Sequence, residues 1–189
     1  MYFPIDEATR AQAKTPHELA MVNLLLINLL MLIALLAGSF LQQDSPVADY
    51  KLMGVLIPLA ISLSIVAYSF ARAARATAGE SWFVAVHWRI ATGRYKILLI
   101  AYLVGAALIG IGWLVSQGQA DPRMQALMFI ALQRVAIAPI LIALMVLIML
   151  ESGSLYQAGR GEVPDGVAKR FPPPVDLATS ETELSSSAA

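Results

Sequence analysis

Four long apolar runs constrain this chain more than any other feature of its sequence. They cover about residues 19–41, 52–71, 97–115 and 124–150. Each run is close to or above the ~20 residues that a helix needs to cross the hydrocarbon of a bilayer. Only 14% of the residues are charged, against about 25% in a soluble domain. Because a spanning segment must satisfy its own backbone hydrogen bonds and no period-2 alternation indicates a barrel, the sequence predicts an all-α integral membrane protein with four transmembrane helices.

Residues that favour the start of a helix precede three of the runs. Thr15, Pro16 and Glu18 form the pattern of a capping box with proline at the first helical position. Ser45 and Asp121 are each followed by a proline, which repeats the same signal before the second and fourth runs. These positions are the predicted starts of three spans.

The distribution of Lys and Arg predicts the orientation of the spans. Of the thirteen Lys and Arg residues, two precede the first run, five lie in the loop 72–96 and three follow residue 157. The connections 42–51 and 116–123 carry one each. The positive-inside rule therefore places both termini and the middle loop in the cytoplasm. Short outer connections favour antiparallel neighbours, which predicts an up-down four-helix bundle.

The expected domain organisation follows from these runs. Residues 1–18 form a cytoplasmic segment, residues 19–157 the transmembrane domain, and residues 158–189 a Pro- and Ser-rich cytoplasmic tail that is expected to be disordered. The first run is expected to be a retained span, because no basic region precedes it and no A-x-A cleavage site follows it. We expect the plasma membrane, which in a bacterium is the inner membrane, to hold the chain.

Polar side chains in the hydrocarbon are costly, so they are the first candidates for function. At 1.5 Å rise per residue, Asn28, Ser62 and Arg134 all fall near the membrane midplane, and Gln133 adjoins them. These four residues form a predicted intramembrane polar cluster. Arg134 has three possible roles: it reaches the outer headgroups along the helix, it holds helices together, or it pairs with an acidic group from another molecule.

Small residues form strips on two spans, where they let another helix backbone approach closely. The strips consist of Ala101, Gly105 and Gly112 in the third span and of Ala131 and Ala138, on either side of Arg134, in the fourth. Pro58 and Pro139 lie within the second and fourth runs. A proline inside a helix removes a backbone donor, so each predicts a kink that is either static or a hinge.

The middle loop carries the most distinctive stretch outside the runs. Its aromatic and basic residues are Trp82, Phe83, His87, Trp88, Arg89, Arg94, Tyr95 and Lys96. Helical spacing of its apolar residues predicts a short amphipathic helix that lies at the membrane interface, with rings at headgroup level and cations against anionic lipid. Two other readings stay open, namely a docking surface for a partner protein and a ligand site that involves His87.

The residue inventory limits the chemistry. Cysteine is absent and His17 and His87 are the only histidines, so no metal or other cofactor is expected. The runs hold no deep Asp, Glu, His or Lys, whereas proton-coupled carriers usually need one that titrates. The net charge of zero gives no reason to expect a nucleic-acid partner.

Three functions remain open on the sequence. The first is a non-catalytic membrane subunit, assembly factor or scaffold that binds other membrane subunits or further copies of itself. The second is a small oligomeric channel or carrier, with Arg134 in an anion pathway. The third is a lipid- or quinone-modifying enzyme at the cytoplasmic interface. The enzyme would need Glu18, Glu151, His17, His87 or Arg72 to converge. In each case the lipid bilayer is an expected partner.

Overall fold

The computed structural model describes residues 1–38, 50–75, 81–175 and 177, and these residues are almost entirely helical. The elements in chain order are α1 (Glu7–Val22), a π-helical segment (Asn23–Asn28), α2 (Leu29–Gly38), α3 (Lys51–Arg75), α4 (Trp82–Ser116), α5 (Pro122–Arg160) and α6 (Asp165–Arg170).

Four helical stretches are long and apolar enough to cross a membrane. They cover Glu7–Leu36, Leu52–Arg75, Trp82–Ser116 and Pro122–Arg160. The prediction of an all-helical chain with four such helices is therefore confirmed for the described residues. All four stretches are longer than the predicted runs, because residues outside the runs extend the helices. The 35 residues of α4 rise about 52 Å, well beyond the ~30 Å of hydrocarbon.

The start of the first helix differs from the prediction. It begins at Glu7, so Pro16 lies inside α1 and Thr15 is not its cap. Asp6 takes that role: its carboxylate accepts hydrogen bonds from the backbone N–H of Thr9 at 2.9 Å and from the Thr9 hydroxyl at 2.6 Å. These bonds hold the pKa of the Asp6 carboxyl below its usual range. The helix therefore starts at the upstream cap Asp6 and not at the capping box that begins with Thr15.

The other two predicted starts have different outcomes. Asp121 caps α5, which begins at Pro122, and its carboxylate accepts a hydrogen bond from the backbone N–H of Arg123 at 2.9 Å. That prediction is confirmed. Ser45 lies outside the described residues. The prolines Pro58 and Pro139 lie inside α3 and α5, and each helix continues past its proline; a kink or hinge there stays a prediction.

The chain divides into two compact units. The first consists of Met1–Val22, Ser64–Arg94 and Met149–Ala189, and the second of Asn23–Leu63 and Tyr95–Ile148. The boundaries cut through helices, so they differ from the predicted division at residues 18 and 157. The apolar runs contribute most of the second unit, whereas the first unit gathers their polar ends.

The first unit has a hydrophobic core of its own. Its fully buried large side chains include Phe3 and Phe83, and the Phe3 ring packs edge-on against Trp82 with 5.0 Å between ring centroids. The core also holds smaller residues from α1, from the end of α5, from the connection that follows α5 and from α6: Ala13, Ala158, Val163 and Ala168. At about 25 cal/mol per Å² of apolar surface, this burial is the main stabilising term of the unit.

Backbone hydrogen bonds join the N-terminal residues to the residues that follow α5. Phe3 donates to the carbonyl of Gly161 at 2.8 Å, and Val163 donates to the carbonyl of Met1 at 2.9 Å. Gly161 has φ +77°, and a Cβ there would lie 2.6 Å from the carbonyl oxygen of Phe3. Glycine is therefore required on both conformational and steric grounds.

Two predictions about the polar segments need correction. The stretch around Trp88 is the first part of α4, not a separate interfacial helix, and its aromatic face is buried in protein. Residues 158–175 are ordered, because Val163 and Phe171 pack on the same core. Both corrections have one cause: the N-terminal segment and the chain after α5 cover the apolar face that the sequence left without a partner. Residues 178–189 lie outside the described residues.

The second unit packs α4 against α5 through the predicted small-residue strip. A Cβ on Gly105 would lie 2.3 Å from Cδ1 of Ile140, and a Cβ on Gly112 would lie 3.0 Å from Cβ of Leu132. Ala101, the third member, is 7% exposed. The missing side chains therefore let the two helices approach closely within one chain.

Candidate functional site: a buried histidine–glutamate network

Three titratable side chains of the first unit meet in its interior. His17 comes from α1, His87 from α4 and Glu151 from α5, and their exposures are 0%, 0% and 1%. Each lies in a polar turn that continues an apolar span: His17 precedes the run that begins at Leu19, and Glu151 follows the run that ends at Leu150. The helical extensions thus position all three groups.

The three groups form a continuous hydrogen-bonded chain. Nδ1 of His17 lies 2.6 Å from Oε2 of Glu151, and Nε2 of His17 lies 2.9 Å from Nδ1 of His87. A carboxylate only accepts, so Nδ1 of His17 carries the proton in the first bond. One proton is shared between the two imidazoles in the second. Both ring nitrogens of His17 are therefore engaged.

An arginine closes the carboxylate end of this chain. Nη1 of Arg94 lies 3.3 Å from Oε2 of Glu151 and 2.7 Å from the carbonyl oxygen of Leu150, to which it donates. Nη2 of Arg94 donates to the hydroxyl of Ser154 at 2.7 Å. The side chain of Arg94 is 17% exposed. Glu151 therefore has a cationic partner close to the surface as well as a buried imidazole.

The other end of the chain stops at His87. Nε2 of His87 is buried and has no hydrogen-bond partner among the described residues. The Phe83 ring packs against the imidazole, with 4.6 Å between centroids. A buried polar atom without a partner costs about 1–3 kcal/mol, so this nitrogen is the weak point of an otherwise satisfied network.

This geometry limits what the network can do. It can hold a proton and pass it along the line Glu151–His17–His87, since each step is one hydrogen bond. Within the described part of the chain, no group of three or more His, Cys, Asp or Glu residues is arranged to hold a metal ion. Both ring nitrogens of His17 and Nδ1 of His87 already make hydrogen bonds within the network. The network also joins α1, α4 and α5 inside the first unit.

The second unit contains a separate polar network. Its amide and hydroxyl groups come from Asn28, Ser62 and Tyr102. The Tyr102 hydroxyl donates to Oδ1 of Asn28 and lies 2.8 Å from the Ser62 hydroxyl. Nδ2 of Asn28 lies 3.2 Å from the hydroxyl oxygen of Ser62. The predicted proximity of Asn28 and Ser62 is therefore observed, whereas Tyr102 was not predicted.

The π-helical segment explains why Asn28 points into this network. In a π-helix the backbone bond spans i→i+5, which widens the turn and displaces carbonyls from the regular ladder. Asn28 donates from Nδ2 to the carbonyl of Asn23, five residues earlier, at 2.9 Å. Nδ2 of Asn23 has no hydrogen-bond partner in the part of the chain that the structure describes.

The remaining predicted cluster residues lie on α5. Arg134 is exposed and Gln133 is half-buried. Asn28 and Ser62 bond Tyr102, so their amide and hydroxyl groups are engaged without the arginine. Ala131 and Ala138, which flank Arg134, are also exposed. Among the described residues, the strip on α4 packs against α5, whereas Ala131 and Ala138 are exposed.

The predicted docking residues of the middle loop are mostly engaged inside the first unit. Trp82 donates from Nε1 to the carbonyl of Phe171 at 3.1 Å. The guanidinium of Arg89 lies 4.7 Å from the centre of the Phe171 ring. Trp88 is 4% exposed. Beyond that unit's boundary, Tyr95 is buried and Lys96 is exposed.

No protein family, characterised protein or solved structure matches this chain. The described residues form a helical protein with four helices that are long and apolar enough to span a membrane.

Proposed function

We propose that this chain is a non-catalytic subunit, assembly factor or scaffold of a larger membrane protein complex. It would cross the membrane as an up-down bundle of four helices, with both termini in the cytoplasm. The excess of Lys and Arg in the polar segments supports this orientation. Its partners would be other membrane subunits or further copies of the chain.

One observation carries the proposal. Ala131, Arg134 and Ala138 are all exposed on α5 in the isolated chain, within the run 124–150. Small residues let a neighbouring backbone approach closely. This strip is therefore the face of α5 on which a second membrane protein would pack.

The buried network also supports a non-catalytic role. His17, His87 and Glu151 bond one another and are at most 1% exposed. A general base must come within hydrogen-bond reach of a substrate proton. The three groups instead fix the packing of three helices, which is what a rigid scaffold requires.

The proposal is tested by purification of the tagged protein in mild detergent at native expression, followed by mass spectrometry of what stays bound. We expect a reproducible membrane-protein partner, or a homo-oligomer, in the wild type. Ala131→Leu and Ala138→Leu should each lower its recovery at unchanged expression. Ala107→Leu is the matched control, because Ala107 is exposed in the apolar part of α4. A lone monomer that restores function by itself would contradict the proposal.

A second candidate is an enzyme that acts on lipid or quinone at the cytoplasmic interface. The convergence of His17, His87 and Glu151 supports it, since that hypothesis required these groups to meet. It predicts that His87→Ala abolishes function while the fold persists. Function that survives both His87→Ala and His17→Ala would remove this candidate.

A further inference from the structure

An open groove of about 440 Å³ lies between α1 and α5 in the first unit. Its lining residues are Lys14, Glu18, Ser152, Leu155, Tyr156, Gly159 and Arg160. A smaller groove of about 260 Å³ adjoins it and shares Lys14 and Gly159. Neither groove is used by the buried network or by the proposed partner face of α5.

The groove lies at the polar ends of two apolar runs. Glu18 immediately precedes the apolar run that starts at Leu19, and Ser152 follows the run that ends at Leu150. On the topology of the proposed function, the groove begins where two spans leave the hydrocarbon. Tyr156, which is 62% exposed, is the kind of side chain that is enriched at this level of a membrane.

The groove offers one cation and one anion that are free to bind a ligand. Lys14 and Glu18 form no hydrogen bond or ion pair with any residue that the structure describes. They are four residues apart on α1, so they lie about one turn, or 5.4 Å, from each other on one face. Arg160, by contrast, is engaged by Tyr156 and Glu162.

The absence of a side chain at Gly159 leaves space for the side chain of Lys14. A Cβ at this position would lie 3.0 Å from Cε of Lys14 and 3.5 Å from its Nζ. The lysine side chain thus lies across α5 at the one position in that turn without a side chain. A larger residue at position 159 would displace the ammonium from the groove.

We propose that this groove binds the headgroup of a membrane phospholipid that carries both a phosphate and a primary ammonium. Lys14 binds the phosphate, and Glu18 accepts hydrogen bonds from the ammonium. A headgroup with phosphate alone would leave Glu18 close to a negative charge. A quaternary ammonium has no N–H to donate to the carboxylate. The arrangement therefore selects phosphoethanolamine lipids over glycerol and choline headgroups.

The test is lipid retention by the full chain in nanodiscs that contain equal parts of phosphatidylethanolamine, phosphatidylglycerol and phosphatidylcholine. Native mass spectrometry then reports which lipid stays bound. We expect the wild type to retain phosphatidylethanolamine about fivefold over either other lipid, an effect in the range of one charge contact at a membrane surface. Equal retention of the three lipids, or a preference for phosphatidylglycerol, would overturn the proposal.

The variants separate the two contacts. Glu18→Gln should remove the preference over phosphatidylglycerol, and Lys14→Gln should lower retention of all three lipids, because each carries the phosphate that Lys14 binds. Gly159→Leu should abolish retention by filling the groove.

Lys169→Gln is the matched control, since this exposed lysine of α6 does not line the groove. Complete displacement of the lipid by soluble phosphoethanolamine at equal concentration would show that the groove binds the free headgroup and not a membrane lipid. If Lys169→Gln acts like Lys14→Gln, binding is not at this groove.

Discussion

His17 and His87 are separated by 70 residues in the chain, yet their imidazoles share one hydrogen bond of 2.9 Å in a fully buried environment. The contact links α1 to α4, and Glu151 extends it to α5. Polar groups buried in this way are costly unless they bond one another, as these three side chains do. The network therefore specifies how these three helices pack, and its integrity is directly measurable.

Glu151 is the member whose loss is expected to cost most. Glu151→Ala leaves Nδ1 of His17 without its acceptor and removes the carboxylate next to Arg94. Breaking a buried ion pair by removing one partner costs about 3–5 kcal/mol. Thermal unfolding in mild detergent should show this as a large fall in Tm. Glu151→Gln should cost less, because its amide oxygen still accepts from His17.

Glu162→Ala is the matched control for this experiment. Glu162 is half-buried and bonds Arg160 at 3.0 Å, where solvent screens the ion pair. An exposed pair of this kind contributes about 0–1 kcal/mol. Equal changes in Tm for Glu151→Ala and Glu162→Ala would show that the buried network does not stabilise the first unit.

The second network gives a separate prediction for Tyr102. Tyr102→Phe removes the hydroxyl that bonds Asn28 and Ser62, and hydrogen bonds between membrane helices are worth about 0.6 kcal/mol on average and at most ~1.7. We expect a loss of about 1 kcal/mol in the free energy of unfolding. Tyr68→Phe is the control, because Tyr68 is 56% exposed and contacts Trp88 through its ring. Indistinguishable unfolding of the two variants would contradict this.

The spans could be predicted from the sequence because hydropathy alone decides them. A run of twenty apolar residues has few alternatives to a membrane helix. The polar ends were less predictable, since their structure depends on contacts between distant segments. Trp82 and Phe83 looked like an interfacial face because nothing near them in sequence could cover them. Phe3 and Val163 do so, from opposite ends of the chain.

The buried network was only partly predictable for the same reason. His17, His87 and Glu151 were recognised as groups that a functional site would need, but their convergence depends on how far α1, α4 and α5 extend beyond the apolar runs. The role of Tyr102 is not predictable from the sequence, because a single tyrosine in an apolar run forms no recognisable pattern with its neighbours. The depth of Asn28 and Ser62 was predictable because rise per residue fixes it.

Close packing of α4 on α5 predicts different outcomes for two glycines of one helix. A Cβ on Gly105 would clash with Cδ1 and Cγ1 of Ile140, at 2.3 and 2.8 Å, whereas a Cβ on Gly110 would meet nothing within 4 Å. Gly105→Ala should therefore destabilise by roughly 1–3 kcal/mol, as overpacking does. Gly110→Ala should be neutral or slightly stabilising. Chemical denaturation in detergent measures both.

A second-site change sharpens this test. Ile140→Ala removes both clashing atoms, so Gly105→Ala should cost less in that background than in the wild type. The two changes are expected to be non-additive for this reason. Additive effects would show that the two residues do not pack as the structure has them.

The Asp6 cap predicts a dependence of stability on pH. Hydrogen bonds from Thr9 lower the folded-state pKa of Asp6, so the carboxylate stabilises the fold at pH values above its unfolded pKa of about 4. That contribution is lost as the pH falls through the lower folded value. The difference in Tm between wild type and Asp6→Ala should therefore be present at neutral pH and vanish in strong acid. Glu7→Ala, in the first turn of the same helix, should show a smaller change. A difference that grows on acidification would contradict the cap.

The proposed orientation can be tested cleanly because the sequence contains no cysteine. A single cysteine at Gln119, in the connection between α4 and α5, should react with a membrane-impermeant maleimide added to intact cells. A cysteine at Gly166, where a Cβ would meet nothing within 4 Å, should react only after the membrane is permeabilised. The physical reason is the concentration of Lys and Arg in the segments that include Gly166. Both cysteines must react fully in permeabilised cells, which controls for burial. Labelling of Gly166→Cys but not Gln119→Cys in intact cells would show that the orientation is the opposite of the one proposed.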